Sequence, residues 1–338
     1  MTNTAHRPLL LPLVPLYRLA LALRELEFRS GLKPVRRLRW PVVSIGSLSA
    51  GGAGKTPLTI ALARALAARG LHVDVLSRGY GRRSALPLLV DPRGTADDFG
   101  DEPLLIARES GTPVYVAAGR YQAGLLAESA QLATSSPAVH LLDDGFQHRQ
   151  LHRDVDILLM NRADLCDRLL PAGNLREPLR RAARAQIIAI PADEADLESE
   201  IRSRGWSTNV WRLHRRMQIP PAACSFSGPV AAFCGIARPA QYFQGLESAG
   251  VKLAARIAFP DHHRYTARDL DRITAAARAA GAVALLTTEK DHVRLGAFLR
   301  APDAALPLHA VPLRIEIDDE AAALAWLLDQ VRRPQSQT

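Results

Sequence analysis

Pro41-Val42-Val43-Ser44-Ile45-Gly46-Ser47-Leu48-Ser49-Ala50-Gly51-Gly52-Ala53-Gly54-Lys55-Thr56 decides the fold class of this 338-residue chain. An apolar run of strand length, PVVSIG (41–46), passes through a glycine-rich turn into a helix predicted over Pro57 to Arg69, with proline in its first turn and Gly70 as its stop. Strand, glycine turn and helix in that order form a phosphate cradle. Glycine lets the backbone approach phosphate oxygens, and the helix N-terminus adds partial positive charge. Against the pattern GxxxxGK(S/T), Ser49 stands at the first glycine position, followed by Ala50, Gly51, Gly52, Ala53 and Gly54. Lys55 is then expected to reach the β- and γ-phosphates of a nucleotide, and Thr56 to ligate Mg²⁺.

Outward from this loop the chain alternates. Strands are predicted at 72–77, 113–118, 138–142, 154–160 and 186–190, with helices near 103–110 and 121–133, which implies βαβ units and a mostly parallel sheet covered on both faces. A second alternation begins near Val230, with strands at 230–237, 252–258, 283–288 and 313–317, helices at 239–249 and 267–280, and a final helix to about Val331. The charged stretch from about 196 to 215 reads as the join. The expected organisation is an N-terminal segment (1–35), a P-loop nucleotide-binding domain (36–205) and a C-terminal α/β domain (206–338) that completes the cleft. In fold class this is α/β: a P-loop NTPase-like, mostly parallel sheet, a second and smaller α/β domain, and an N-terminal amphipathic helix. Asp143 and Asp144 follow AVHLL (138–142) directly, at the carboxyl edge where an open α/β sheet binds ligands, as a Walker-B pair for Mg²⁺.

Composition narrows the partners. The chain carries 43 basic and 34 acidic residues, for a net charge of +9 and a pI near 10.0, which favours anions. With 48% apolar residues and a mean hydropathy of −0.03 it is no disordered chain, and dispersed arginines with only 5% aromatics argue against nucleic acid. Lys33, Lys55, Lys252 and Lys290 are its only lysines, and each is worth inspecting, since a site that needs a compact ammonium cannot accept a planar guanidinium. Cys166, Cys224 and Cys234 lack ligand spacing and read as small buried thiols in a reducing compartment.

The apolar run 9–23 is broken by Pro12, Pro15 and Arg18 and falls short of the ~20 residues of a membrane-spanning helix. From Pro15 onward Leu16, Leu19, Leu23 and Leu26 form one stripe of an amphipathic helix, with Arg18, Arg24 and Arg29 elsewhere and Lys33, Arg36, Arg37 and Arg39 following. Two readings stand side by side: a helix on an anionic membrane surface, or one packed on the rest of the protein.

A series of motifs then carries a resemblance. SIGSLSAGGAGKTP (44–57), SRGYGR (77–82), GDEP (100–103), DDGFQHRQLHRDVDI (143–157), LLPAGNLREP (169–178), FCGIARP (233–239), FPDHHRYT (259–266) and LLTTEKD (285–291) occur in that order. In this the chain resembles the tetraacyldisaccharide 4′-kinase family, the lipid A 4′-kinases of Gram-negative bacteria, over nearly its whole length. Ser47 stands where the family usually has Asn, and His292 where Ala is common. The resemblance implies transfer of a phosphoryl group from ATP, with Mg²⁺, to the 4′-hydroxyl of a tetraacylated disaccharide 1-phosphate at the cytoplasmic face of the inner membrane. The lipid and the membrane surface would be its partners, and no obligate protein partner is implied. It also implies that Asp101 is the base and His262 its assistant. Taken without it, Asp101 is equally a helix N-cap ahead of Pro103, and His262 an ordinary loop histidine.

Glu102 and Arg120 are expected to support the site, Gln147 and His148 to position phosphate or acceptor, and Arg176 and Glu177 to line the acceptor pocket. Tyr80, between Gly79 and Gly81, is expected to cover the site, with Arg78 and Arg82 adding charge. Lys290 reads either as a nucleotide contact or as the partner of Glu289 or Asp291. Without the resemblance, the residues reach a Mg²⁺-dependent P-loop phosphotransferase or an NTPase. The alternatives are an NTPase that uses hydrolysis as a switch or for metal delivery, and a basic membrane adaptor that senses nucleotide.

Overall fold

The computed structural model describes residues 7–130, 137–207, 209–221, 227–296 and 306–332. Its strands are β1 (Val42–Ser47), β2 (His72–Ser77), β3 (Leu88–Leu89), β4 (Val114–Val116), β5 (Ala138–Asp143), β6 (Val155–Leu159), β7 (Ile187–Pro191), β8 (Val210–Met217), β9 (Val230–Cys234), β10 (Leu253–Ala258), β11 (Leu285–Thr288), β12 (Leu308–Val311) and β13 (Leu313–Ile317). Its α-helices are α1 (Val14–Arg29), α2 (Lys55–Ala67), α3 (Ala96–Phe99), α4 (Asp101–Ser110), α5 (Arg120–Ala130), α6 (Arg162–Cys166), α7 (Ala195–Ser203), α8 (Pro239–Ser248), α9 (Ala267–Ala279), α10 (Glu289–Leu295) and α11 (Glu320–Arg332).

A nine-stranded sheet runs in the order β13-β8-β7-β6-β1-β5-β2-β4-β3, parallel except for its two edge pairs. Every residue of β1 and β6 is buried, as expected of central strands covered on both faces. From β1 the chain moves to one side for β2 and β4, returns to place β5 beside β1, then builds β6 to β8 on the other side. The order therefore reverses beside β1, and a crevice opens at the carboxyl ends of β1 and β5. The β1–β5 register sets Ile45 against Asp143, which brings the two motif-bearing turns together. A second, all-parallel sheet, β10-β9-β11-β12, faces this crevice.

Sheet membership departs from the expected join at 206. β8, inside the charged stretch, and β13, expected in the second alternation, pair antiparallel with each other at the edge of the large sheet, so the small sheet takes only strands between 230 and 311. Alternating exposure along β8 hid it: arginines and His214 occupy the outward positions of a strand that only β13 separates from the edge of the sheet. Helix α2 starts at Lys55 instead of Pro57, because Gly54 takes a left-handed conformation (φ 91°) at its N-cap. The end of the helix expected over 121–133 lies outside the described residues, as does Cys224. Cys234 is buried, whereas Cys166 is exposed, contrary to the expectation of buried thiols.

At the N-terminus a 3₁₀ turn (Pro8–Leu13) leads into α1. Val14, Tyr17 and Leu21 pack against a core cluster that includes Leu175, Leu158 and Phe146. Leu16, Leu19, Leu23 and Leu26 are each more than half exposed on the other side. The helix thus docks by one face and turns its leucine stripe outward. Among the described residues, no helix is long and apolar enough to cross a membrane.

Candidate active site

The phosphate loop bridges β1 and α2 with Gly51, Gly52 and Gly54 all at positive φ. At Gly52 a side chain is excluded twice, by its φ of 62° and by the Arg238 side chain 3.0 Å from where a Cβ would stand. Arg238 belongs to FCGIARP, so the turn after β9 lies directly over the loop. From β8, Arg215 donates to the Ala53 carbonyl at 2.6 Å. The loop is held from below as well. Arg176 sends two N–H groups to Asp144, both at 2.9 Å, and further bonds to the Ser47 and Ser49 carbonyls at 3.3 Å. Gln147 donates to the Ser47 carbonyl at 2.9 Å. Helix α1 joins this lattice through the Tyr17 hydroxyl on the Arg176 carbonyl (2.9 Å) and Arg24 on the Gln147 carbonyl (2.8 Å).

Lys55 lies 3.4 Å from the Ser47 hydroxyl and 3.6 Å from Asp144. The Thr59 and Ser77 hydroxyls donate to Asp143 at 3.5 and 3.3 Å. Burial, with Glu102 and Asp144 nearby, pushes the Asp143 carboxyl far above the ordinary carboxylate range. Burial acts the same way on Asp144, but Lys55 and the Arg176 fork outweigh it and hold Asp144 at about 2. His148 is driven down to about 4 by burial and by Arg120 and Arg153, which makes it a neutral imidazole at pH 7.

From the opposite wall comes His262, after β10, in a left-handed backbone conformation (φ 57°). Its Nδ1 lies 3.0 Å from Asp101 Oδ2 at the start of α4. The second Asp101 oxygen accepts the Glu102 N–H at 2.9 Å, while the N-cap itself is Gly100 and makes no side-chain cap. Burial opposes ionisation of Asp101, yet the His262 hydrogen bond, Arg294 and Lys290 together hold its carboxyl well below the usual range. The same hydrogen bond raises His262 above an ordinary histidine, against a smaller effect of burial. The Tyr80 ring stands 5.8 Å from that of His262, and Arg264 donates to the Gly81 carbonyl at 3.0 Å, so the DHHRYT and RGYGR segments meet over the site.

These groups line one cavity of about 1440 Å³, from Ala50–Thr56 through Asp101, Glu102, Arg120, Asp143, Asp144, Gln147, His148 and Arg176 to His262 and Lys290. Three expected residues are not among its lining, one of them Arg82, which donates to the Leu86 carbonyl at 2.7 Å. Ser49 is buried beneath the loop, and Glu177 lies in a separate cavity under α1, facing Arg181 and Arg184. Lys290 pairs with neither Glu289 nor Asp291 but with Glu102 across the crevice, at 2.5 Å. Arg120 opens α5, is buried, and its Nε has no hydrogen-bond partner among the described residues. Sequence reading missed Arg215, Arg238 and Arg294. In a chain so rich in arginine their identity was no signal, although Arg294 lies one helical turn past Asp291 in the TTEKD segment.

The family described as Tetraacyldisaccharide-1-P 4′-kinase matches residues 6–332. A tetraacyldisaccharide 4′-kinase of Koribacter versatilis is 40% identical over 331 residues, 96% of this chain and 99% of that protein. The enzyme of that name from Gluconacetobacter diazotrophicus is 43% identical over 301 residues, 87% of this chain and 86% of the other. Among solved structures, the "apo" form of LpxK from Aquifex aeolicus in complex with ATP superposes with a TM-score of 0.73 at 30% identity, covering 96% of this chain and 99% of that one.

Proposed function

Because this chain belongs to the tetraacyldisaccharide-1-P 4′-kinase family, we propose that Asp101 and His262 relieve the acceptor hydroxyl of its proton while the phosphate loop holds the nucleotide. The protein is an ATP-dependent phosphotransferase of lipid A biosynthesis, which moves the γ-phosphoryl of ATP to the 4′-hydroxyl of a tetraacyldisaccharide 1-phosphate and yields a 1,4′-bisphosphate. Lys55 and the backbone N–H groups of Ala50–Gly54 bind the β- and γ-phosphates and stabilise charge as the transfer proceeds. As the acceptor oxygen attacks phosphorus its proton passes to the Asp101–His262 pair, and the bond to ADP breaks. The neutral His148 and the buried Arg120 orient phosphate oxygens, and Tyr80 covers the site.

The donor set fits a divalent cation. Thr56, Asp143 and Asp144 offer hard oxygen ligands, and Asp143, pushed up by burial and by Glu102 and Asp144 beside it, is a carboxylate whose ionised form a cation would favour. Two carboxylates and one hydroxyl leave the remaining positions of a Mg²⁺ ion to substrate phosphates and water. When bound, Mg²⁺ would neutralise charge on the β- and γ-oxygens.

The outward leucines of α1 and the flanking arginines seat the protein on the cytoplasmic face of the inner membrane. The small sheet acts as a lobe that closes DHHRYT over the P-loop. The observation that carries the chemistry is the 3.0 Å contact between Asp101 and His262, which come from opposite walls of the crevice. The test is incubation with ATP, Mg²⁺ and a tetraacyldisaccharide 1-phosphate, followed by mass spectrometry for one added phosphoryl group. ATP turnover that ignores the lipid would favour the switch NTPase instead.

A further inference from the structure

We propose that Arg294 is a positioning residue for the phosphoryl transfer, aiming the Asp101 carboxylate at His262 across the crevice. The inference rests on the reading of Asp101 and His262 as the proton-handling pair. Arg294 stands on α10, and its side chain is only 6% exposed. Its Nε and Nη2 both donate to Asp101 Oδ2, at 2.7 and 2.5 Å. Nη1 is spent on its own side of the crevice, on the Gly235 carbonyl at 2.6 Å and Asp291 Oδ1 at 3.0 Å. Asp291 is itself immobilised: it accepts the Gly235 N–H and the Tyr265 hydroxyl at 3.0 Å each, and the Thr288 hydroxyl at 2.6 Å. A continuous hydrogen-bonded chain therefore runs from the core of the small sheet, through Asp291 and Arg294, to Asp101 at the head of α4.

Only a guanidinium suits this place. Two N–H groups at a fixed spacing converge on Oδ2 while Nη1 reaches back to Gly235 and Asp291, a three-way hold that a single ammonium cannot supply. With Oδ2 taken by Arg294 and Oδ1 by the Glu102 N–H, Asp101 cannot rotate away from His262 Nδ1. Arg294 Nη2 also lies 3.2 Å from that nitrogen. Guanidinium carries donors alone, so it keeps Asp101 ionised and leaves the carboxylate as the acceptor for a Nδ1 proton. The charged groups facing Asp101 are His262, Lys290 and Arg294 on the small-sheet side and Glu102 on its own helix, with Asp261 beside His262. Lys290 is engaged by Glu102, which leaves Arg294 as the cation bonded to Asp101.

The test measures kcat, the KM for ATP and the pH profile of kcat for Arg294→Lys, Arg294→Ala and Asp101→Asn in the full chain, with thermal melting as the check on folding. Arg294→Lys should lower kcat about tenfold and Arg294→Ala about a hundredfold, with the KM for ATP changed less than about threefold. Asp101 would keep its proton to higher pH, so the acid limb of the profile should move upward, and added guanidinium should restore part of the Arg294→Ala rate. If Arg294→Ala does not fold, Arg294→Lys decides: wild-type kcat in that variant overturns the proposal. A kcat loss matched by a rise in the KM for ATP, with the acid limb unmoved, also overturns it, since that is general damage. Slow Asp101→Asn beside wild-type Arg294 variants removes Arg294 alone, whereas wild-type kcat in Asp101→Asn removes the pair and Arg294 with it.

Discussion

Replacing Gly46 with alanine would test how the two halves of the phosphate site are held together. Gly46 lies in β1, and an added Cβ would stand 2.5 Å from the Phe146 Cβ, 2.8 Å from its backbone nitrogen and 3.2 Å from its Cα. Carbon atoms in good contact lie ~3.5–4.0 Å apart, so the methyl would overlap its neighbour by about 1 Å. A flexible side chain could swing aside, but these atoms are backbone and Cβ of a fully buried residue, one step past Gly145, whose N–H donates to the Ile45 carbonyl at 3.0 Å. Relief requires the DDGF turn to move off β1. Overpacking of this kind costs about 1–3 kcal/mol, and a backbone shift that also strains the Gly145–Ile45 bond places it near the top, about 3 kcal/mol. At roughly 2–4 °C per kcal/mol for a large domain, the melting temperature should fall by about 6–12 °C. Asp143 and Asp144 would move with the turn, and a displacement of about 1 Å at a reacting centre costs on the order of a hundredfold in kcat. Calorimetry and kinetics well below both transitions would measure the two effects. Gly205→Ala is the control: at φ 63° with nothing within 4 Å, it should lose about 1 kcal/mol and no activity. A Gly46→Ala protein that melts within about 2 °C of wild type at wild-type kcat would refute the packing argument.

His262→Ala should lower kcat by about 10²–10³ while the KM for ATP stays near its wild-type value, and an unchanged kcat would remove His262 from the chemistry. The raised pKa of His262 also has a stability signature. A group whose folded pKa lies above its unfolded one stabilises fully below about pH 6.5 and loses this as pH rises through the folded value, so the melting advantage of wild type over His262→Ala should be larger at about pH 5.5 than at about pH 9. For the Lys290–Glu102 pair, both side chains about a quarter exposed, each single alanine variant should cost about 1–3 kcal/mol and the double variant clearly less than their sum; strict additivity in denaturant melts would mean no coupling. Serine at Leu16, Leu19, Leu23 and Leu26 together should abolish sedimentation with anionic vesicles and spare ATP binding, and unaltered sedimentation would count against the membrane role of α1.

Local order sufficed for much of this. The strand, glycine turn and helix of 41–69, and the carboxylates directly after AVHLL, are fixed by neighbours in the chain, because glycine conformation, capping and apolar run length act over a few residues. The family resemblance likewise paired Asp101 with His262. The cations that face Asp101 and Glu102 were not legible. Glu102 meets Lys290 from 188 residues away and Asp101 meets Arg294 from 193, while the local residues Glu289 and Asp291 turn to Arg314 and Gly235 instead. For a related reason β8 does not read as a strand and β13 reads with the second alternation, since a strand half covered with arginine shows its place only when its partner, about 100 residues on, lies beside it. The sequence alone determined where the strand, glycine turn and helix of the loop lie and which carboxylates stand at the carboxyl end of β5. Only the tertiary structure decided which arginine and lysine face the site from the other side, since pairing among many identical side chains depends on which of them packing brings within reach of a buried carboxylate.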